Sequence, residues 1–446
     1  FFATYEGVRA KHATSALSIV PDAALRSGDF SSANPIYDPL STDANGARIP
    51  FANQQIPANR ISPIARGFLD RFQPLPNRTG PGSNFLDATP GTDTFDSASG
   101  RLDHQFRNSG LLWGRYTING ERSRIAGIFP LLPTNQTVRA QQALIGYTYG
   151  QGRWLSETRL SFSRLRVFAL PESAFQTDIA KDLGVGGSSS DPFTWGLPLF
   201  ITSNFNLRAD DPALPQTQRD NTWQFSQNVS VAANRHSLKT GFQWIGAQVN
   251  LRQSNLARGR LTFTGALTSL DGNVAASGDG FADFLLGLPQ ISERSVGVSS
   301  ANLTRGVWSG YVQDEWRLHP RVTLNLGVRY EYNSPFRRSD GALLNLDYSR
   351  LPAAPALVAV NRPVQPDRND VAPRIGVAAQ LWQGLVFRAG YGFFFSPEIA
   401  TEVFDLARNA VRTEINSTDG IRPVLTLSNP FPQSASTGLP TYFGID

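Results

Sequence analysis

The sequence predicts an all-β fold, organised as part of an antiparallel transmembrane β-barrel with long extracellular loops. Three observations predict it: a hairpin of long, two-faced strands at residues 305–333, further hairpins of the same kind, and short turns that alternate with long connections. No apolar run reaches the roughly 18 residues that a membrane-spanning helix requires, so only strands could cross a bilayer. The 39 glycines and 30 prolines also favour strands and turns over helices.

Residues 305–333 show the pattern most clearly. After a turn at Leu318 to Arg321 the second strand alternates strictly, which is typical of a strand with unlike faces. About ten to twelve residues, tilted by roughly 45°, are long enough to cross the bilayer core. A charge at Leu326 is expected to cost about 2–4 kcal/mol, and far less at Asn325 on the other face. The apolar face of this strand consists of Val322, Leu324, Leu326, Val328, Tyr330 and Tyr332.

The rest of the chain repeats this unit in layout rather than in sequence. A strand at residues 1–8 precedes a long segment, 9–97, which we predict to be irregular apart from a short helix at 63–72. Residues 397–446 show no clear strand. The paired strands of the five hairpins are predicted at 101–106 and 111–120, 142–150 and 154–168, 222–231 and 236–250, 305–318 and 321–333, and 372–381 and 385–396.

The connections between these strands are of two kinds. Short turns of about two to five residues alternate with loops of roughly 20 to 50 residues. Outer-membrane barrels have this layout, whereas such long loops are uncommon in compact soluble domains. One strand and five hairpins make about eleven spanning strands, while bacterial barrels close with an even number. We therefore expect the chain to form about half of a larger barrel.

Composition limits the remaining classes of protein. The chain has no cysteine, which removes disulfides, thiolate metal sites and cysteine catalysis. It has no methionine and opens without a signal peptide, so we expect a fragment of a longer protein. The net charge is only +5, and the arginines are scattered rather than gathered into the dense basic stripe of a nucleic-acid binder. No nucleic-acid partner is expected.

Nine stretches of the chain, taken together and in order, are more specific than any general strand pattern. They are FFATYEGVR (1–9), RSGDFS (26–31), IYDP (36–39), NQQIPANRISPIA (53–65), RLDHQF (101–106), GFADFLLGLP (280–289), YVQDEWRLHPRVTLNLGVRYEYNSP (311–335), NDVAPRIGVA (369–378) and RAGYGFFFS (388–396). This ordered set is spread over nearly the whole chain, from residue 1 to residue 396. It resembles the TonB-dependent outer-membrane receptors, in particular the Oar-like, OmpA-related branch common in acidobacteria.

The resemblance implies a barrel of about 22 strands, of which residues 1–446 supply about 11 as part of one barrel domain. We expect the plug domain, the segment that contacts TonB and the C-terminal strands to be missing from this sequence. The resemblance also implies the outer membrane of a Gram-negative cell, with outer-membrane lipid as a partner. The other implied partners are the plug domain of the same parent chain and the TonB complex. No cofactor is expected.

The candidate functional residues fall into two groups. Charged side chains on the polar faces of the last strands are expected to line the lumen, where they could contact the plug or an anionic substrate. These are Arg329, Glu331, Arg374 and Arg388. Aromatic residues in the loop 169–221 could stack on a sugar or a siderophore, or could instead pack the loop against its neighbours. These are Phe193, Trp195 and Phe200.

The sequence does not predict an enzyme or a metal site. It lacks the HExxH, GxSxG and Walker-type motifs. Its four histidines are far apart in sequence, and two of them lie in or beside predicted short turns, where structural or solvated roles are expected. The histidines are His12, His104, His236 and His319.

The predicted function is that of a receptor wall in the outer membrane. Such a receptor takes up, or moves, a large scarce substrate such as a siderophore, a carbohydrate or a peptide. One alternative is an adhesion or structural barrel without active transport, and another is a secreted, soluble β-rich binding protein. Only the receptor would use energy from the inner membrane, and only the soluble protein would stay monomeric without detergent. The identity of the substrate and the direction of transport stay open at this point.

Overall fold

The computed structural model describes residues 1–79, 82–107, 110–187, 189–295, 299–339, 341, 343–347, 356–362, 364–396, 410–416, 423–432 and 442–443. None of the helices in these ranges is long and apolar enough to span a bilayer. The helices are α1 (Ala23–Arg26), α2 (Pro63–Arg71), α3 (Ile179–Leu183) and α4 (Gly280–Leu286). The strands are β1 (Phe2–Ser18), β2 (Tyr37–Thr42), β3 (Arg48–Pro50), β4 (Phe85–Gln105), β5 (Gly110–Ile125), β6 (Thr134–Gln151), β7 (Trp154–Pro171), β8 (Leu199–Thr202), β9 (Gln216–Ala233), β10 (His236–Gln253), β11 (Arg260–Phe263), β12 (Ile291–Ser295), β13 (Ser299–His319), β14 (Val322–Asn333), β15 (Arg337–Arg338), β16 (Leu343–Asp347), β17 (Ala356–Val360), β18 (Val371–Trp382), β19 (Leu385–Gly392), β20 (Ala410–Ile415) and β21 (Tyr442–Phe443).

A single antiparallel sheet, which we call the wall, dominates the fold. Its strands follow the order β1-β4-β5-β6-β7-β9-β10-β13-β14-β18-β19, with the short β15 paired to β13. The one strand and five hairpins expected from the sequence are all present, so the prediction of about eleven wall strands is confirmed. Several strands are longer than predicted. In particular, β4 begins at Phe85, inside a segment predicted to be irregular.

The two faces of the wall are chemically different. On β14, Leu326, Val328 and Tyr330 are exposed, while Asn325 and Arg329 on the opposite face are only partly exposed. An apolar surface of this extent is unfavourable in water and matches the lipid-facing surface of a membrane barrel. We call this the apolar face, its band of exposed apolar side chains the belt, and the opposite side the polar face. The belt includes Tyr5, Leu102, Tyr116, Ile145, Leu160, Trp223, Phe242, Trp308, Val312 and Ile375.

The two ends of the wall differ in their connections. At one end, tight turns reverse the chain at Gly152, Asn234 and Gly384, with φ angles of 58°, 52° and 84°. This left-handed conformation favours glycine and asparagine over other residues. The predicted turn through Asn108 and Ser109 lies outside the described residues. The long connections all leave the wall from the other end, as the alternation of loop lengths predicted.

The long connections fold into a body of their own, which we call the cap. The cap contains α2, α3, α4 and a small sheet in the order β21-β20-β12-β11-β8. Its core is formed by the connections after β1, β7 and β10 together with residues 423–432. Helix α2 confirms the predicted helix, whereas the prediction of otherwise irregular loops is wrong. The prediction of no strand after residue 397 is also wrong, because β20 pairs with β12. The cap core includes Phe30, Ile36, Ile56, Phe68, Leu197, Phe200, Leu207, Leu261, Phe263, Phe281, Phe284, Leu285 and Leu427.

Candidate functional site

The polar face of the wall carries a shallow cavity of about 200 Å³ across β10, β13, β14 and β18. The strand register explains why a cavity is present at this position. Gly327 has no side chain and lies between its cross-strand partners Gln313 on β13 and Arg374 on β18. The polar-face residues around this gap are Lys239, Tyr311, Gln313, Gly327, Arg329 and Arg374.

The cavity is positively charged. Arg329 is ion-paired with Glu331, and its Nη2 donates to the Ser309 hydroxyl at 2.8 Å. Lys239 and Arg374 have no carboxylate partner within the described part of the chain. The guanidinium of Arg374 instead lies 4.6 Å from the ring centroid of Phe394. Two of the three cations are therefore uncompensated, and the cavity is suited to an anionic group.

The four charged residues named from the sequence share the polar face. Arg329, Glu331 and Arg374 lie in or beside the cavity, whereas Arg388 pairs with Ala378 of β18, closer to the short-turn end. Sequence reasoning missed the contribution of Lys239. The alternation of residues 236–250 already places it on the polar side, but the register of β10, β13, β14 and β18 is needed to place it around the same cavity as Arg374.

The three loop aromatics have different surroundings. Phe200 is only 2% exposed, and its ring meets that of Phe68 edge-on at 5.0 Å in the cap core. Phe193 is 1% exposed and lies under the guanidinium of Arg252, 4.1 Å from its ring centroid. Only Trp195 keeps part of its surface exposed. A ligand approaching from solvent can therefore reach Trp195 and not the other two rings.

The cap is fixed directly to the wall. The Arg208 guanidinium binds the Asp87 carboxylate of β4 at 2.6 Å, and both side chains are largely buried. The Asn206 amide donates to the Ser18 hydroxyl, at the end of β1, at 2.9 Å. These contacts hold the cap on the long-loop ends of the first two wall strands.

One fully buried carboxyl group organises the middle of the cap. Asp283 accepts hydrogen bonds from the Gly265 amide at 2.8 Å, the Thr268 amide at 2.9 Å and the Thr268 hydroxyl at 2.7 Å. On the other side of this loop, Arg48 donates to the Leu267 carbonyl at 2.8 Å. A buried acid and a buried base therefore hold the loop between them. Burial raises the pKa of Asp283 to about 7, although these hydrogen bonds oppose the shift.

The raised pKa of Asp283 predicts how cap stability depends on pH. An unfolded chain releases this proton near pH 3.8, so the folded cap binds more protons between about pH 4 and 7. Cap stability should therefore fall as the pH rises through that window, by at most about 4 kcal/mol. Urea-dependent proteolysis of the cap at pH 4.5 and 7.5 measures the slope. Asp283→Asn should reduce the slope, and the remainder reflects other buried cap carboxyls such as Asp279, whose pKa burial also raises. The exposed turn variant Asp271→Asn should retain the full slope. A slope in Asp283→Asn equal to that of the parent protein would contradict the assignment.

Comparison with protein-family models agrees with this architecture. A family model described as an outer membrane beta barrel domain matches residues 1–445. Similar solved structures include the alcaligin outer-membrane receptor FauA from Bordetella pertussis, at 10% identity over 69% of this chain and 37% of that chain, with a TM-score of 0.36. The copper transporter OprC is similar at 11% identity over 69% of this chain and 37% of that one, with a TM-score of 0.39. FpvA of P. aeruginosa bound to heterologous pyoverdines is similar at 11% identity over 68% of this chain and 37% of that one, with a TM-score of 0.38.

The chain spans little more than a third of the length of these three proteins. No curated protein matches it. The eleven-strand antiparallel sheet with one lipid-type face and one polar face is consistent with a partial outer-membrane β-barrel, and the family match covers it from end to end. The chain is therefore located in the outer membrane, and it belongs to the outer membrane β-barrel domain family.

Proposed function

We propose that this chain forms the wall and cap of a TonB-dependent receptor of the Oar-like branch, which takes up a large scarce substrate such as a siderophore, a carbohydrate or a peptide. The cap is the observation that carries the proposal. Apolar residues from four separate segments share one core at the long-loop end of the wall. A barrel that only anchors or spaces the envelope has no need for this folded layer, whereas capture of a substrate outside the cell requires a shaped external surface.

The polar face supports the same proposal. In a barrel of about 22 strands, the eleven strands of the wall would supply about half of the circumference, and their polar face would line the lumen. The cavity with Lys239, Arg329 and Arg374 would then attract an anionic substrate or an acidic surface of the plug domain. Arg388 would extend this positive surface towards the periplasmic end. The plug domain and the TonB complex are the partners that this function requires.

Among the loop aromatics, Trp195 is the residue that we propose to contact substrate. It is partly exposed, so a sugar or an aromatic group of a bound ligand could stack on its indole ring. Phe193 and Phe200 are proposed to hold the loop in place through their packing.

Energy-dependent uptake is the direct test of the proposed function. The full-length protein is expressed in an outer membrane without a competing receptor, and cells are given a labelled ferric siderophore, an oligosaccharide and a peptide. We expect one class to accumulate, and the accumulation to stop when a protonophore removes the inner-membrane proton gradient. Binding without accumulation would contradict the proposal and favour the adhesion or structural alternative. Accumulation that survives the protonophore would contradict TonB dependence.

The charge of the cavity provides a matched pair of variants, because Lys239 and Lys11 are two of only three lysines in the chain. Lys239 lies on the polar face, while Lys11 is an exposed residue on the other face of the wall. Lys239→Glu should weaken the binding of an anionic substrate by about tenfold, because one charge-assisted contact is replaced by repulsion. Lys11→Glu should leave binding unchanged. Isothermal titration with the purified full-length protein measures the affinity of each variant. Equal affinities would show that the cavity does not bind the substrate.

A further inference from the structure

A group of arginines lies on the apolar face, just beyond the belt. On β7 the belt extends from Trp154 to Phe162, and Arg164 and Arg166 follow at the next two positions on the same face. On β9, Arg219 is the cross-strand partner of Arg166 and so lies at the same level. Arginine therefore follows the last aromatic residue of the belt after one position on β7 and after two on β9, where Asn221 lies between Trp223 and Arg219.

The strand register places three of these arginines side by side. Arg139 of β6 pairs with Arg166 of β7, which in turn pairs with Arg219 of β9. Arg122 and Arg164 flank this row at the adjoining levels of the same face. Like charges directly opposite each other on adjacent strands destabilise a sheet. The row therefore calls for an anion that neutralises it.

Among the described residues, no carboxylate forms an ion pair with this row of arginines. The guanidinium carbons of Arg166 and Arg219 lie 5.1 and 5.5 Å from the ring centroid of Phe168, and the Nε of Arg166 is buried without a partner. Arg9 on the same face, by contrast, binds the Asp96 carboxylate at 2.7 Å. Within the described ranges, no ion pair involves any member of the following set, which we call the arginine patch: Arg122, Arg139, Arg164, Arg166 and Arg219.

Open space adjoins the patch. Gly120 of β5 pairs with Arg139, and a Cβ atom added there would meet nothing within 4 Å. The groove above it has a volume of about 330 Å³, and its walls include Arg122, Arg139, Tyr5 and Asp96. Asp96 is already paired with Arg9, so its charge is compensated. A headgroup could therefore lie against Arg122 and Arg139 in this groove without displacing any side chain.

The position of the patch relative to the membrane identifies the kind of anion. The rings of Phe162 and Trp223, 4.6 Å apart, end the belt on the side of the long loops. Aromatic residues mark the interface level of transmembrane barrels, and long loops mark the extracellular side. The patch lies only one or two positions beyond these rings along the same strands. It is therefore at the depth of the lipid headgroups in the outer leaflet.

We propose that the arginine patch binds an outer-leaflet lipid whose headgroup carries phosphate groups. Guanidinium groups bind phosphate through paired hydrogen bonds and stay charged at physiological pH. Adjacent strands lie about 4.8 Å apart, so the row from Arg139 to Arg219 spans roughly 10 Å. That length fits a sugar headgroup with two phosphates better than one small ion. The belt directly below contacts the acyl chains of the same molecule, which a free phosphate lacks.

The test compares three probes on the full-length protein in lipid-free detergent micelles: diphosphorylated lipid A, the same lipid after removal of both phosphates, and inorganic phosphate. We expect the diphosphorylated lipid to bind most tightly. The triple variant R139Q/R166Q/R219Q should lose about 100-fold in affinity, at roughly fivefold for each arginine near an anionic surface. The control R101Q/R115Q/R159Q removes the same charge from the polar face of β4, β5 and β7, and should bind as the parent does.

Thermal unfolding in the same micelles separates lost binding from lost folding. Without lipid, the triple patch variant should unfold at a temperature equal to or above that of the parent, because the repulsion between neighbouring arginines is removed. With diphosphorylated lipid, the unfolding temperature of the parent and of the control should rise and that of the patch variant should not. Equal binding of the phosphate-free lipid, an equal loss of affinity in the control variant, or binding of inorganic phosphate as tight as that of the lipid would each overturn the proposal.

Discussion

Phe284→Ala is expected to destabilise the cap by about 3–5 kcal/mol. Phe284 is completely buried in α4, and its ring lies within 5.3 to 5.8 Å of four other rings. These neighbours come from α2, β8, β11 and α4 itself, so the side chain joins elements that lie far apart in the sequence. Its removal leaves a cavity that the surrounding rings cannot fill without leaving their rotamers. The four neighbouring rings are those of Phe68, Phe200, Phe263 and Phe281.

Proteolysis of the cap at increasing urea concentration measures this effect, since the cap has its own core and can open while the wall stays folded. The cleavage midpoint of Phe284→Ala should fall strongly. Leu75→Ala is the control, because Leu75 lies in the connection after β1, which also contributes to the cap, but is 52% exposed. This substitution should change the stability of the cap by less than about 0.5 kcal/mol. Equal effects of the two substitutions would show that the aromatic cluster is not what holds the cap together.

Val328→Arg is expected to cost about 2–4 kcal/mol in the folding of the wall in a bilayer. Val328 is 46% exposed at the middle of the apolar face of β14, and its cross-strand partners are the uncharged Val312 and Pro373. Leu326, named from the sequence for the same purpose, is a less favourable position. Its partner on β13 is Asp314, whose carboxylate could neutralise an introduced arginine.

Asn325→Arg is the matched control for the Val328 substitution. Asn325 lies on the polar face of the same strand, opposite Glu315, so an arginine there would find water and a carboxylate. Its expected cost is close to zero. Urea unfolding of the protein in phosphatidylcholine bilayers compares the two variants. Similar costs for both would contradict the assignment of the apolar face to lipid.

The wall could be predicted from the sequence because its signals are local. Side chains alternate between the two faces of any strand, so Leu326, Val328 and Tyr330 show their shared face without reference to the rest of the fold. Tight turns such as Gly152 and Gly384 then set the register of each hairpin. The strand count, the strand order and the two faces follow from these rules.

The outer parts of the wall strands were not predictable in the same way. The first half of β4, from Phe85, lies beyond the belt and has polar residues on both faces. Alternation between apolar and polar residues is a consequence of having lipid on one side, and it disappears where both sides contact water or the cap. The strand continues there because its backbone pairs with β1 residue by residue, down to Phe85 opposite Ser18.

The cap was determined by tertiary structure alone, apart from its helices. Asp279 caps α4, and Phe281 and Phe284 are three residues apart, so this helix also carried a local signal that sequence reasoning missed. The core around these rings had no such signal, because Phe68 and Phe200 come from other loops and share no periodicity with them. The same holds for the polar-face cavity, which Lys239 and Arg374 line together only through the combined register of β10, β13, β14 and β18. The sequence by itself determined the wall strands within the belt and their faces, since both depend on local backbone geometry. Only the tertiary structure decided which faces and loops meet, since that depends on packing between distant segments.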